Sequence, residues 1–149
     1  DSFGQTNISY IGDHKNPKVQ LLGVRGFPGN FISHKNSIFI PNHSTKTFVE
    51  GEVDMVSGMG YNNHHPNGSK PEIISVVTNL GVFDFNSPAN QLQLLSIHPG
   101  VSMEDIINNT GFKVAVKSDE ETALPSEEEL TLIREVLDPM GTRKIIFGE

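Results

Sequence analysis

Apolar residues fall in short runs or alternate with polar ones through most of the chain, a period-two pattern that predicts strands. Candidate strands lie at 8–11, 19–24, 37–40, 47–49, 53–56, 72–78, 82–85 and 91–97. The run at 19–24, VQLLGV, is apolar almost throughout, as in a buried strand. The β-branched run 72–78, EIISVVT, is the strongest strand signal. Residues 82–85 and 92–97 read as a hairpin with a longer loop. Loops rich in Gly, Asn and Pro occupy 12–17 and 57–70, and no convincing helix shows in the first seventy residues.

Helical spacing begins only at Ser102, a hydroxyl N-cap followed by Glu104 and Asp105 in the first turn. The helix should run from 103 to about 110, with Gly111 as a left-handed terminator, then a strand at 112–116. After a charged linker at 117–125, Ser126 and Glu129 form a capping box. Leu130, Ile133 and Leu137 then share one helical face, and Asp138-Pro139 ends the helix. Strands therefore fill the first two thirds and helices sit near the C-terminus. Parallel strands need crossovers, so either the sheet is largely antiparallel or crossover helices lie in sequence outside this chain.

The length, 149 residues, fits one domain spanning 1–149. A formal net charge of −7 and a pI near 5.3 argue against a nucleic-acid surface. The absence of cysteine excludes disulfides and cysteine-based zinc sites. No apolar run is long enough for a membrane span, and the polar opening DSFGQTN does not read as a signal peptide, so the cytoplasm is expected. The chain opens on Asp1 rather than Met, so an upstream part is expected to be missing.

The stretch of most chemical interest follows the 19–24 run. Gly23, Gly26 and Gly29 fall three apart, with Val24, Arg25, Phe27, Pro28 and Asn30 between and beside them. Glycine accepts positive φ, so such a loop can turn amides toward an anion or a carbonyl oxygen. The same residues also suit a connecting turn. The spacing is neither the dinucleotide fingerprint nor a P-loop. Arg25 is the loop's sole cation, solvated or facing a carboxylate or phosphate. His34 and His43 flank the strand after the loop and are cleft candidates; His98 reads as a turn cap, and His64-His65 as part of a solvated loop. The six histidines lack the spacing of a metal site, and none is expected. Glu50, Glu52 and Glu72 read as structural or solvated acids.

Several segments occur together in a telling order: DSFGQTN at 1–7, the loop 23–30, FVE leading into VD at 48–54, TNLGVFDF at 78–85, and HPGV at 98–101 before TGF at 110–112. With them the chain resembles, over essentially its whole length, the β subunit of family I CoA transferases of the glutaconate and 3-oxoacid type. GVRG at 23–26, SGMGY at 57–61 and LIREVLDP at 132–139 are similar to the branch of steroid ring-opening CoA hydrolases. TNLGVFDF with HPGV is the specific part of the match.

The resemblance implies an open, mainly parallel α/β sandwich of which this chain is the C-terminal part. It implies an α subunit as partner, hetero-oligomeric assembly, acyl-CoA thioesters as substrates, and coenzyme A as substrate rather than cofactor. CoA transfer between carboxylic acids through a glutamyl-CoA intermediate is the expected activity, with ring-opening hydrolysis or a non-catalytic partner-binding role as alternatives. The isolated chain is expected to be inactive. Gly23, Val24, Arg25, Gly26, Phe27, Gly29 and Asn30 match the family's oxyanion and CoA-binding loop, with Asn7 also a cleft candidate. The usual adjacent glycines are interrupted here by Arg25 and by Phe27-Pro28. No catalytic glutamate is assigned; the resemblance places it in the absent N-terminal part or on the partner subunit.

Overall fold

The computed structural model describes residues 1–62 and 68–147; His64 and His65 lie outside them. Among the described residues, seven strands form two sheets. β1 (Tyr10–Asp13) and β2 (Asn16–Gln20) make an antiparallel hairpin by themselves. β3 (Lys35–Ile40), β4 (Glu72–Thr78), β5 (Gly81–Asp84), β6 (Gln93–Ile97) and β7 (Ala115–Val116) form a mixed sheet in chain order. The outer ladders, β3–β4 and β6–β7, are parallel; β4–β5 and β5–β6 are antiparallel. Helix α1 (Phe27–Ser33) precedes β3, α2 (Met103–Asn109) crosses from β6 to β7, and α3 (Glu127–Thr131) and α4 (Thr142–Phe147) lie toward the C-terminus. The class is α/β, with strands concentrated in the first two thirds, as the pattern predicts.

The core sits where β4, β5 and β6 meet Phe31, Phe48 and Ile106, all buried. Phe83 on β5 lies opposite Val76 on β4 and Leu94 on β6, and all three are nearly or wholly inaccessible. The hydroxyl of Ser102 caps α2, accepting from the Asp105 amide while the Asp105 carboxylate accepts from the Ser102 amide. Ser126 and Glu129 cap α3 in the same way.

Several expectations are corrected. The run 19–24 is not a buried strand: β2 ends at Gln20, and Val19 and Leu22 are 45% and 83% exposed. Its apolar residues belong to an outlying hairpin and the turn after it, where Gly23 adopts φ 85°. Residues 27–33 are helical, with Pro28 in the first turn, where its missing N–H costs nothing. Their Gly and Asn content hides the helix from propensity. The runs 47–49 and 53–56 are irregular rather than strands, although Phe48 still plugs the core.

Gly111 is not a left-handed terminator either. The chain passes so close to the 48–50 segment that a β-carbon at Gly111 would stand 2.6 Å from the Phe48 carbonyl oxygen and from the Glu50 amide nitrogen. Glycine is needed there for space, and the Gly111 amide donates to that carbonyl at 2.7 Å. Finally, α3 runs on into a π-helical stretch, Leu132–Leu137, which shifts the period away from 3.6. The apolar residues of this segment stay exposed, Leu137 at 71%.

Candidate functional site

Two features hold the polar chemistry. The first is the loop between β2 and α1. The Gly23 amide donates to the Ile8 carbonyl at 2.8 Å, and the Phe27 amide to the Val24 carbonyl at 2.9 Å. Between them the amides of Arg25 and Gly26 meet no acceptor among the described residues. Arg25 stands at φ 45°, a left-handed conformation unusual for a residue with a side chain. It is exposed and has no ion-pair partner among the described residues. Gly26 is right-handed at φ −83°. A β-carbon on Gly26 would meet only the Asn30 amide nitrogen at 3.7 Å, and one on Gly29 would meet nothing within 4 Å. Nothing among the described residues therefore requires glycine at either position by contact.

The loop is anchored from below. Gly58 lies under α1, where a β-carbon would come within 2.8 Å of the Phe27 ring and 3.0 Å of Phe31. The Ser57 hydroxyl accepts from the Ile8 amide at 3.1 Å, and the Gly58 and Ser57 amides both donate to the Thr6 carbonyl. The SGMGY segment thus ties the opening segment and the glycine loop together.

The second feature is a cleft of about 540 Å³ between the hairpin, the main sheet and the 46–54 loop. Ile38, Ile40 and Val76 give it an apolar floor, and Glu50, Glu52 and Asp54 line it along with Lys46. Glu72 instead pairs with Lys35 at 3.2 Å on the exposed parallel ladder.

Asn7 lines the cleft, and its side chain also braces the chain, accepting from the Ser9 amide at 2.9 Å and donating to the Tyr10 carbonyl at 2.7 Å. Gly23, Val24, Arg25, Gly26, Phe27, Gly29 and Asn30 do not line it. The Gly23–Ile8 hydrogen bond ties them to the residue beside Asn7. His34 stands at the far end of α1, exposed, with Nδ1 3.0 Å from the Ser33 hydroxyl and 3.3 Å from the Asn30 carbonyl.

His43 is not at a cleft edge. It is buried at 3% exposure and stacked on Phe48 at a 3.8 Å ring separation. Thr110 donates its hydroxyl hydrogen to the Ile106 carbonyl at 2.7 Å, so its oxygen accepts from His43 Nε2 at 3.0 Å. Nδ1 faces the Thr78 hydroxyl at 3.1 Å. Asn79 Oδ1 accepts from the His43 amide at 2.7 Å, and His98 Nε2 donates to the Thr78 carbonyl at 2.9 Å. The TNLG segment is therefore a latch gripped by two histidines. No group of metal-ligating side chains occurs among the described residues.

Burial lowers the His43 pKa from 6.5 to about 4. The folded state thus prefers the neutral ring. His43 contributes its full share of stability above pH 6.5 and loses it as pH falls from 6.5 toward 4, about 3 kcal/mol in all. Denaturant titrations across that window should show the loss, and His43→Gln should flatten it. Parallel pH profiles for the two proteins would contradict the assignment.

Gln5 escaped the sequence reading. It is 4% exposed and its Oε1 has no hydrogen-bond partner among the described residues. DSFGQTN reads as a turn, and no sequence signal distinguishes a buried, orphaned amide from a solvated one.

No protein-family model matches the chain. It is 43% identical over 147 residues to the cholesterol ring-cleaving hydrolase IpdB subunit of Mycobacterium tuberculosis, covering 96% of this chain and 58% of that one. The β-type subunit of glutaconate CoA-transferase from Acidaminococcus fermentans is 30% identical over 148 residues, covering 93% of this chain and 54% of the relative. The crystal structure of Rhodococcus jostii RHA1 IpdAB matches with a TM-score of 0.89 at 41% identity, covering 96% of this chain and 59% of that chain. The chain thus spans somewhat more than half the length of the relatives it matches. No helix among the described residues is long and apolar enough to cross a membrane.

Proposed function

This chain belongs to the family of CoA-transferase β subunits, which includes a steroid ring-cleaving hydrolase subunit, and from that premise we propose that it forms the β side of a two-subunit enzyme acting on acyl-CoA thioesters. The greater identity to the ring-cleaving hydrolase subunit, 43% against 30% for the glutaconate transferase subunit, favours the hydrolase type over CoA transfer. The observation that carries the reading is the glycine loop: two amides without acceptors, beside glycines whose missing side chains serve no contact among the described residues.

In either reaction type a carbonyl carbon is attacked and its oxygen gains negative charge. Donors fixed before the attack stabilise that oxygen without reorganising. The Arg25 and Gly26 amides are such donors, held by the Gly23–Ile8 and Phe27–Val24 hydrogen bonds on either side. The attacking group comes from outside this chain, on an α-type subunit, where a carboxylate or a carboxylate-activated water would serve. The 149-residue chain alone is expected to give no turnover.

Arg25 is the specificity element of this reading. Its guanidinium would pair with a second carboxylate on the acyl group, as glutaconyl and opened-ring steroid acids would present. In a complex reconstituted with a cognate α-type subunit, Arg25→Met should lower kcat/KM about ten- to a hundredfold for acyl-CoAs bearing a distal carboxylate and leave others little changed. Equal losses on both substrate types would remove the arginine from this role.

A further inference from the structure

The two ends of the glycine loop are held by two adjacent residues, Ser57 and Gly58. At the first end stands the β1–β2 hairpin, which is a sheet of its own. Its pairing runs on past β2, where the Leu21 amide donates to the Ser9 carbonyl at 2.9 Å and the Gly23 amide to the Ile8 carbonyl at 2.8 Å. Ile8 is fixed in turn by Ser57, whose hydroxyl accepts from the Ile8 amide at 3.1 Å across 49 residues of sequence. Ser57 is 2% exposed. Its own amide and that of Gly58 donate to the Thr6 carbonyl at 2.8 and 3.0 Å, and the Thr6 amide donates to the Gly58 carbonyl at 2.9 Å. These backbone bonds fix residues 57 and 58 against Thr6. The Ser57 hydroxyl extends that frame to Ile8, and so to the start of the loop.

At the other end Phe27 opens α1, its ring 5.0 Å from that of the buried Phe31. Both rings rest on Gly58, where a β-carbon would stand 2.8 Å from Phe27 and 3.0 Å from Phe31. The bare backbone of Gly58 therefore sets how low the first turn of α1 sits. Arg25 and Gly26 lie between these two ends, with Arg25 already left-handed at φ 45°. A loop this short has few torsions left once both ends are fixed, so its ends decide where its amides point.

We propose that Ser57 is a positioning residue, aiming the Arg25 and Gly26 amides through Ile8 and Gly23, while Gly58 seats the far end of the loop. This rests on the reading of the loop as an oxyanion site. Ser57 is buried and acts through Ile8, not on the substrate. A misaimed donor leaves the acyl-CoA room to bind but stabilises the charged oxygen less. The loss belongs in kcat and not in KM.

The test uses the complex with a cognate α-type subunit. Ser57→Ala should lower kcat about ten- to a hundredfold and leave KM within about twofold. Amide hydrogen exchange across 21–27 should quicken about tenfold in the same variant. Ser57→Cys keeps the side-chain volume with only a weak acceptor and should show the same split, which separates the lost hydrogen bond from a packing fault. Gly58→Ala should lower kcat by displacing Phe27. Val82→Ala, a control on β5, should change neither kcat nor exchange across 21–27. Unchanged exchange in Ser57→Ala and Ser57→Cys overturns the proposal, as does a loss carried by KM. Full turnover in both Ser57 variants with turnover lost in Gly26→Val also overturns it and leaves the oxyanion reading standing. Full turnover in the Ser57 variants and in Gly26→Val removes the oxyanion reading and the positioning role with it.

Discussion

Replacing Gly26 with valine is expected to cut turnover of the assembled enzyme by about a hundred- to a thousandfold with the fold intact, the loss typical of one removed oxyanion donor. The expectation rests on what glycine does not do there. Gly26 sits at φ −83°, which any residue adopts, and a β-carbon would stand 3.7 Å from Asn30, an ordinary contact. Valine therefore costs the chain little beyond a weaker helix cap, yet it would screen the amides of residues 25 and 26 from an approaching carbonyl. Gly29→Ala is the sharper control. Its β-carbon would meet nothing within 4 Å, and alanine in a helix is more stable than glycine by about 1 kcal/mol. That variant should melt higher and turn over more slowly. Gly23→Ala should behave differently, because φ 85° makes a β-carbon cost about 1–2 kcal/mol wherever the substrate lies. Undiminished turnover in both Gly26→Val and Gly29→Ala would reduce the loop to a connection.

The fold was legible in the sequence where local and tertiary preferences agree. The β-branched residues of 72–78 suit an interior strand and find one, and the Ser102 N-cap and the Ser126 capping box form as spaced. It was illegible where tertiary packing reassigns a local pattern. The apolar run 19–24 suggests burial, but its strand pairs only with Tyr10–Asp13, off the main sheet, and its side chains stay exposed. The residues 27–33 carry Pro28, Gly29 and Asn30, poor helix formers, yet Phe27 and Phe31 pack over Gly58 and keep the turn helical. That contact links positions about thirty apart, beyond any local window.

The candidate site divides in the same way. The glycine spacing marks the loop, but not which residue turns left-handed: Arg25 does and Gly26 does not. His43 is one of several histidines in polar loops by sequence, and only the fold delivers it between Thr78 and Thr110. Glu50 and Glu52 read as structural or solvated acids, and they do remain exposed; that they border a cleft depends on the hairpin folding back beside the sheet.

Phe83→Ala should destabilise the protein by about 3–5 kcal/mol, a larger stability loss than any of the loop or surface substitutions should cause. Phe83 is wholly inaccessible at the middle strand of five, between Val76 and Leu94. Its ring lies 5.4 Å from His43 and 6.4 Å from Phe48, so it supports the latch as well as the sheet. Neighbours on two paired strands cannot collapse into the space without breaking ladder hydrogen bonds, so most of the cavity would remain. At this chain length the loss corresponds to a fall in Tm of about 10 °C or more. Val82→Ala, one residue away on the half-buried face of β5, should cost only about 1 kcal/mol. Because His43 would lose a packing partner, the acid sensitivity between pH 6.5 and 4 should also soften in Phe83→Ala as water reaches the ring. A loss below about 1.5 kcal/mol in denaturant titrations, or one matched by Val82→Ala, would show that the core does not centre on this residue.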